Sequence, residues 1–248
     1  MTTLSIQAIS DKGPTRGNNE DMLSVGGITL RDNQCSLPLL EIDPEGFFYL
    51  LLSDGMGGHE HGERASELLL QHLGNCFKQK IFTPDTIEDQ LREQVKLLSD
   101  QLNEQAFQEN QSRPMGCTLT GVVWYCGKVY LLNAGDSRTY RYRRPYLRQM
   151  TQDQTERGMT GNPDDSKLLL NCIGGGSYGR LIVEDIGEKI GPEDVLLICS
   201  DGLSDMVDDT VIEQILTESS DPVHDLYNKA CENGGIDNIS IIVATIKN

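Results

Sequence analysis

The chain has 248 residues, of which 38 are acidic and 21 basic, giving a formal net charge of −17; 38% of the residues are hydrophobic and 24% charged. A field of that sign repels nucleic-acid backbones and anionic lipid, so the composition argues against a nucleic-acid or membrane-surface binder, and the hydrophobic share excludes a disordered chain. Phosphorylated ligands stay open, because bound divalent cations reverse the sign locally.

Met1-Thr2-Thr3-Leu4 shows no basic region leading into an apolar stretch, so no secretory signal is expected. The longest apolar run, Phe47-Phe48-Tyr49-Leu50-Leu51-Leu52, is far short of the roughly 20 residues a membrane helix needs. It ends in Ser53-Asp54-Gly55, which predicts a fully buried strand meeting a loop. Ala65, Leu68, Leu69, Leu73, Cys76 and Phe77 recur at helical spacing over 63–77. After Thr83-Pro84-Asp85 a second helix is expected over 85–107, with the stripe Ile87, Leu91, Val95, Leu98, Leu102 and Ala106.

The period changes beyond residue 117. Val122–Tyr125 and Val129–Leu132 flank Cys126-Gly127-Lys128 and predict a hairpin, with further strands at Thr139–Arg143 and Tyr146–Met150. Residues 151–180 are polar and Gly-rich and read as a loop region with one helical turn around Lys167–Leu170. Val195–Ser200 is a second buried strand ending in Ser-Asp-Gly. Val211–Leu216 and Val223–Ala230 predict short helices, and Ile239–Ile246 a terminal strand. Long antiparallel stretches with segregated helices indicate the α+β class. No linker or repeat interrupts the chain, so residues 1–248 are expected to form a single domain. Seven cysteines without a CxxC pair predict reduced thiols in a cytoplasmic protein and no zinc site.

Three acidic residues share one context. Asp54 and Asp201 each follow a buried strand and open an Asp-Gly pair, and Asp237 precedes the terminal strand within Gly234-Gly235-Ile236-Asp237-Asn238. Taken singly, an Asp-Gly pair reads most simply as a turn. Carboxylates delivered together to one sheet end would repel each other unless hard, oxygen-seeking cations such as Mg²⁺ or Mn²⁺ neutralise them.

The full series of motifs is more specific than any member. Arg16-Gly17-Asn18-Asn19-Glu20-Asp21, Ser53-Asp54-Gly55-Met56-Gly57-Gly58-His59, Met115-Gly116-Cys117-Thr118, Gly135-Asp136-Ser137-Arg138, Cys199-Ser200-Asp201-Gly202-Leu203-Ser204-Asp205 and Gly235-Ile236-Asp237-Asn238 occur in this order. In this the chain resembles the metal-dependent Ser/Thr protein phosphatase family (protein phosphatase 2C, PPM type) in its bacterial form, over essentially its whole length.

The resemblance implies a sandwich of two antiparallel β-sheets flanked on each outer face by a helix pair, in α-β-β-α layers. It implies two Mn²⁺ or Mg²⁺ ions at one end of the sandwich. Asp54 would bridge both. Asp201 and Asp237 would complete the protein ligands of the first, and Glu20 and the backbone carbonyl of Gly55 would hold the second. Asp21 would either orient metal-bound water from behind or ligate directly. Arg16, five residues before Asp21, would grip phosphate bidentately. The implied reaction is hydrolysis of phosphoserine and phosphothreonine in proteins by water activated between two ions, with no covalent phosphoenzyme. Asp136 and Asp205 match residues that, with Asp201, hold a third, weaker cation in bacterial relatives; Asp136 is alternatively a turn residue pairing with Arg138. The expected partners are phosphorylated proteins, without nucleic acid or membrane, and the expected state is a monomer in the cytoplasm.

The sequence also departs from the family pattern. Met56 stands where some relatives carry a His that acts as general acid; His59 and His61 lie close by, and His61 reads more simply as facing solvent. The usual Gly-Thr-Thr is Gly116-Cys117-Thr118, a small-for-small change. The flap that follows Gly135-Asp136-Ser137-Arg138 in bacterial relatives is shortened to a segment at about 151–180. Tyr140-Arg141-Tyr142-Arg143-Arg144 is either a docking patch for acidic phosphopeptides or a solvated strand face. Two other readings use the same fold: a regulatory phosphatase for one dedicated partner protein, and a non-catalytic binding module, which would be marked by loss of the metal ligands and Arg16.

Overall fold

Runs such as Phe47–Leu52 and Val195–Cys199 are apolar without alternation because both their faces are covered. The computed structural model describes residues 2–43, 46–57, 60–79, 81–109 and 114–247. The chain opens with β1 (Thr2–Asp11), β2 (Met22–Val25), β3 (Ile28–Leu30), β4 (Asn33–Ile42), β5 (Phe47–Ser53) and β6 (Gly55–Met56). The helices α1 (Glu60–Lys78) and α2 (Ile87–Gln108) follow, then β7 (Gly116–Cys117), β8 (Leu119–Tyr125), β9 (Lys128–Ala134), β10 (Arg138–Arg143) and β11 (Tyr146–Gln149). After them come α3 (Glu156–Thr160), β12 (Ile173–Gly174), β13 (Ile182–Asp185), β14 (Val195–Cys199), α4 (Asp201–Ser204), α5 (Asp209–Glu218), α6 (Pro222–Glu232) and β15 (Ile239–Lys247).

Two six-stranded antiparallel sheets form the centre, one in the order β11-β10-β14-β15-β1-β4, the other β13-β9-β8-β5-β2-β3. Their facing sides share one core, in which Leu4, Ile6, Leu196, Ile198, Ile242 and Ala244 of the first sheet meet Leu23, Leu50, Leu52, Val122, Trp124 and Leu131 of the second. The alternate residues of the same strands point outward. Tyr49, Leu51, Val123 and Leu132 receive α1 and α2, and Leu197, Cys199, Ile241 and Val243 receive α4, α5 and α6. Each fully buried aliphatic side chain contributes about 1.5–3 kcal/mol. Stacking fixes α1 on its sheet, with the Phe77 ring 4.8 Å from both Phe47 and Tyr49. The α+β sandwich in α-β-β-α layers is thus the observed architecture. No helix among the described residues is long and apolar enough to cross a membrane.

The strands expected from residue 47 onward, both helix stripes and the terminal strand lie where the pattern predicts them, whereas β1 to β4 are not among the predicted strands. The segment after residue 150 also departs from the pattern. The helical turn expected at Lys167–Leu170 is extended chain, and the helix forms earlier, at α3. The reason is capping: Thr155 accepts the Gly158 N–H at 3.0 Å, and Gly161 closes the helix in the left-handed conformation. The backbone of 166–170 instead hydrogen-bonds to that of 154–157. The basic tract forms a strand whose tyrosines point inward, while Arg143 and Arg144 are exposed and Arg141 is partly so. Tyr140 and Tyr142 are buried, Arg143 binds the fully buried Asp194 through Nε and Nη2 at 2.7 Å, and Arg141 donates to the Lys189 carbonyl.

Candidate active site

The carboxylates singled out in the sequence come to one end of the sandwich, where β5, β14 and β15 deliver them. Asp54 follows β5, Asp201 opens α4 directly after β14, and Asp237 stands two residues before β15. Asp54 is held on both sides of its peptide unit by Thr118: its N–H donates to Thr118 Oγ1 at 3.0 Å, and its carbonyl accepts the Thr118 N–H at 2.8 Å. Thr118 Oγ1 also meets Ser137 Oγ at 2.7 Å, which joins the Asp54 turn to the loop that carries Asp136. This is the task of Gly116-Cys117-Thr118, and Cys117 itself is fully buried packing.

Asp21 is almost wholly buried and accepts a hydrogen bond from Ser200 Oγ at 2.8 Å. Glu20 is anchored through its backbone. Its N–H donates to Asn238 Oδ1 at 2.8 Å, and its carbonyl accepts from Gly55 N at 3.2 Å and Ser66 Oγ at 2.6 Å. Its carboxylate lies against the Cα of Gly62 in the first turn of α1, where a Cβ would sit 1.9 Å from Glu20 Oε2. A glycine is therefore required at 62, for close approach rather than for its dihedral freedom. Arg16 is half exposed; its Nη2 lies 2.7 Å from Asp237 Oδ2 and its Nε donates to the Ile236 carbonyl at 3.1 Å.

These groups feel one another strongly. Burial, then the charges of Asp21, Asp201, Asp136 and Asp237, hold the Asp54 carboxyl well above the usual carboxylate range. Asp201 is pushed up to about 8 by burial and by Asp136, Asp237, Asp205 and Asp21. Burial raises Asp21 to about 6 against the hydrogen bonds of Ser200, Ser240 and Asp54, with Asp237 adding to the rise. Asp136 is raised to about 6, mainly by burial, with Asp153 and Asp205 adding and Arg138 opposing.

Asp136, Asp201 and Asp205 line one cleft of about 610 Å³. A helical turn follows Asp201, with the Asp205 N–H donating to the Asp201 carbonyl at 2.8 Å. Asp136 does not pair with Arg138, whose guanidinium is taken by Asp153 at 2.7–3.1 Å and by Tyr140 Oη. Among the described residues no three His, Cys, Asp or Glu side chains form a closed metal cage. The donor set nonetheless suits a hard divalent cation. It is all oxygen, its members repel each other at close quarters, and Asp201 Oδ1 is buried without a hydrogen-bond partner. His61 is exposed, as expected, and His59 lies outside the described residues.

The sequence reading missed the supports. Asn238 binds the Lys12 carbonyl, the Asn18 carbonyl and the Glu20 N–H with one side chain. Arg31 ties the Asp21 carbonyl to Glu63 of α1. Asn238 and Ser200 sit inside the quoted motifs, so their positions were visible without their roles. Gly62 was signalled only as a glycine within a helix turn, and Arg31 by nothing local.

The model of the family described as protein phosphatase 2C matches residues 39–230. The serine/threonine phosphatase stp of Listeria welshimeri is 31% identical over 250 residues, covering 94% of this chain and 92% of its own. Among solved structures, the catalytic domain of the serine/threonine protein phosphatase PstP in complex with two manganese ions superposes with a TM-score of 0.77, at 28% identity and full coverage of both chains. Stp1 of Staphylococcus aureus superposes with a TM-score of 0.78, at 25% identity over 98% of this chain and 95% of its own. The fold and the relatives are those of a bacterial PPM-type phosphatase. The chain belongs to the protein phosphatase 2C family and is a protein-serine/threonine phosphatase.

Proposed function

We propose that the chain hydrolyses phosphoserine and phosphothreonine in proteins with two Mn²⁺ or Mg²⁺ ions held by Asp54, Asp201, Asp237, Glu20 and the Gly55 carbonyl. The observation that carries this reading is the gathering of mutually repelling, buried carboxylates beside a half-exposed arginine. Bound there, the ions would supply a water that loses its proton near neutral pH and would neutralise charge developing on the phosphoryl oxygens. Asp54 is the common ligand, placed by Thr118. Asp21, boxed in by Ser200, acts from behind by orienting rather than by leaving its pocket. Arg16 holds Asp237 with one edge of its guanidinium and keeps further N–H donors for the phosphate. Attack on phosphorus in line breaks the bond to the Ser or Thr oxygen and leaves inorganic phosphate and the free hydroxyl. Asp136 and Asp205, with Asp201, form an outlying corner that we assign to a third, weaker ion. Residues 151–180 act as a shortened flap bordering the cleft, within a single domain. The acidic composition and seven cysteines without a CxxC pair support a cytoplasmic enzyme, which we take to act on phosphoproteins as a monomer.

A metal-titrated assay on peptides carrying phosphoserine, phosphothreonine or phosphotyrosine tests the reading. Turnover of the first two is expected with Mn²⁺ or Mg²⁺, little with Ca²⁺, whose looser geometry positions ligands less well, and none in chelator. Full turnover after exhaustive dialysis against chelator would overturn it. In the same assay Arg16→Ala is expected to raise KM about tenfold with kcat within about threefold of wild type, as for a contact equal in ground and transition states. An unchanged KM would return Arg16 to a role in holding Asp237 alone.

A further inference from the structure

One cation of the chain's own reaches into the outlying carboxylate corner. Lys167 Nζ lies 2.5 Å from Asp205 Oδ1, with the two side chains 51% and 29% exposed. The lysine is presented by an ordered scaffold. On either side of it, the Ser166 carbonyl accepts the Arg157 N–H at 2.9 Å and the Leu168 carbonyl accepts the Glu156 N–H at 3.0 Å, which fastens the strand of chain carrying Lys167 to the first turn of α3. Asp205 is fixed in turn by its N–H on the Asp201 carbonyl. The neighbouring guanidinium groups of the cleft are committed elsewhere, Arg138 to Asp153 and the Arg157 Nε to the Asp165 carbonyl. Lys167 therefore supplies the positive charge that Asp205 meets in a corner whose other members, Asp136 and Asp201, carry the same sign as Asp205.

We infer that Lys167 is a built-in counter-ion for the Asp136–Asp201–Asp205 corner, which competes with a divalent cation for Asp205 so that a third ion enters as the lysine leaves. The inference rests on the two-ion reading above. An ammonium neutralises one carboxylate but ligates nothing, and it cannot share Asp205 with a divalent cation without like-charge repulsion. A half-exposed pair of this kind is weak, so the lysine is displaceable and the competition modest. The consequence is an enzyme whose corner is already partly neutralised with two ions bound.

The test is Mn²⁺ binding to the folded chain, followed by titration calorimetry and by the electron paramagnetic resonance of free Mn²⁺, in wild type, Lys167→Gln, Lys167→Arg and Lys167→Gln/Asp205→Asn. All four are expected to bind the first two ions alike. Lys167→Gln should take the third ion roughly three- to tenfold more tightly than wild type, Lys167→Arg should match wild type, and the double variant should lose the gain. A third ion bound by Lys167→Gln no more tightly than by wild type, or an equal gain in Lys167→Arg, overturns the role of Lys167 and leaves the two-ion reading standing. Wild type that binds no Mn²⁺ at all overturns both.

Discussion

Asp54→Asn is expected to lower kcat on a phosphothreonine peptide by about a thousandfold or more while leaving the fold intact. The substitution keeps the shape of the side chain and both backbone hydrogen bonds to Thr118, so the turn after β5 has no reason to move. What disappears is a buried carboxylate that feels Asp21, Asp201, Asp136 and Asp237 together. In the proposed two-ion reading this charge would enter both ion binding and transition-state stabilisation, so the expected loss reaches beyond that of a single hydrogen-bond donor, which costs about 10²–10³. The check is steady-state kinetics at saturating Mn²⁺ together with circular dichroism. Retention of more than about a tenth of wild-type kcat, in a protein with native dichroism, would remove Asp54 from the centre of the mechanism.

Asp201→Asn is expected to do two opposite things: to lower turnover at least a hundredfold and to make the metal-free protein more stable. The Asp201 carboxyl is surrounded by Asp136, Asp237, Asp205 and Asp21, and its Oδ1 is buried with no hydrogen-bond donor in reach. An amide of the same size carries no charge to be repelled and offers its neighbours two N–H donors. A carboxyl raised from 3.8 to about 8 in the fold leaves native stability untouched below the unfolded value and erodes it as the pH climbs to 8. The advantage of the amide should therefore open above about pH 4 and be complete above pH 8, on the order of a few kcal/mol. For a chain of this length that is a rise in Tm of about 5 °C or more. Scanning calorimetry in chelator at pH 5 and pH 8 checks it, and a variant less stable than wild type at pH 8 would mean that the Asp201 charge is compensated in the metal-free fold. Added Mn²⁺ should raise the Tm of wild type more than that of the variant, which keeps only the ligands assigned to the second ion.

Much of the architecture was legible where a strand is covered on both faces. Phe47–Leu52 and Val195–Cys199 read as central because every position is apolar, and the layered core shows why: Leu50 and Leu52 face one sheet while Tyr49 and Leu51 face the helices. β1 is absent from the predicted strands although it alternates Leu4, Ile6 and Ala8 with the half-buried Ser5 and Gln7, the period of a strand with one face more covered than the other. Its two neighbours, β15 and β4, are set by pairings that no local window contains. The carboxylates were legible because each stands at a strand end in a recognisable phrase. Their supports were not, since the value of Arg31, Gly62 or Lys167 lies in what another part of the chain brings up against it. The misplaced helical turn has the same origin, for Lys167–Leu170 is helical by composition and is held extended by the backbone of 154–157.

The three hydrogen bonds of Asn238 have a consequence for how the molecule is made. One amide fastens the peptide carbonyls of Lys12 and Asn18 and the N–H of Glu20, and it is borne on the lead-in to β15, which lies between β14 and β1 in the middle of its sheet. The early motif that bears Arg16, Glu20 and Asp21 is held at the Glu20 and Asp21 carbonyls by Gly55, Ser66 and Arg31, but the Lys12 and Asn18 carbonyls and the Glu20 N–H wait for residue 238, and Asp237 arrives one residue before. A nascent chain can collapse and pack α1 and α2 long before that point, yet it carries no assembled centre. On this reading the carboxylate centre is completed only when β15 and its lead-in join the sheet between β14 and β1.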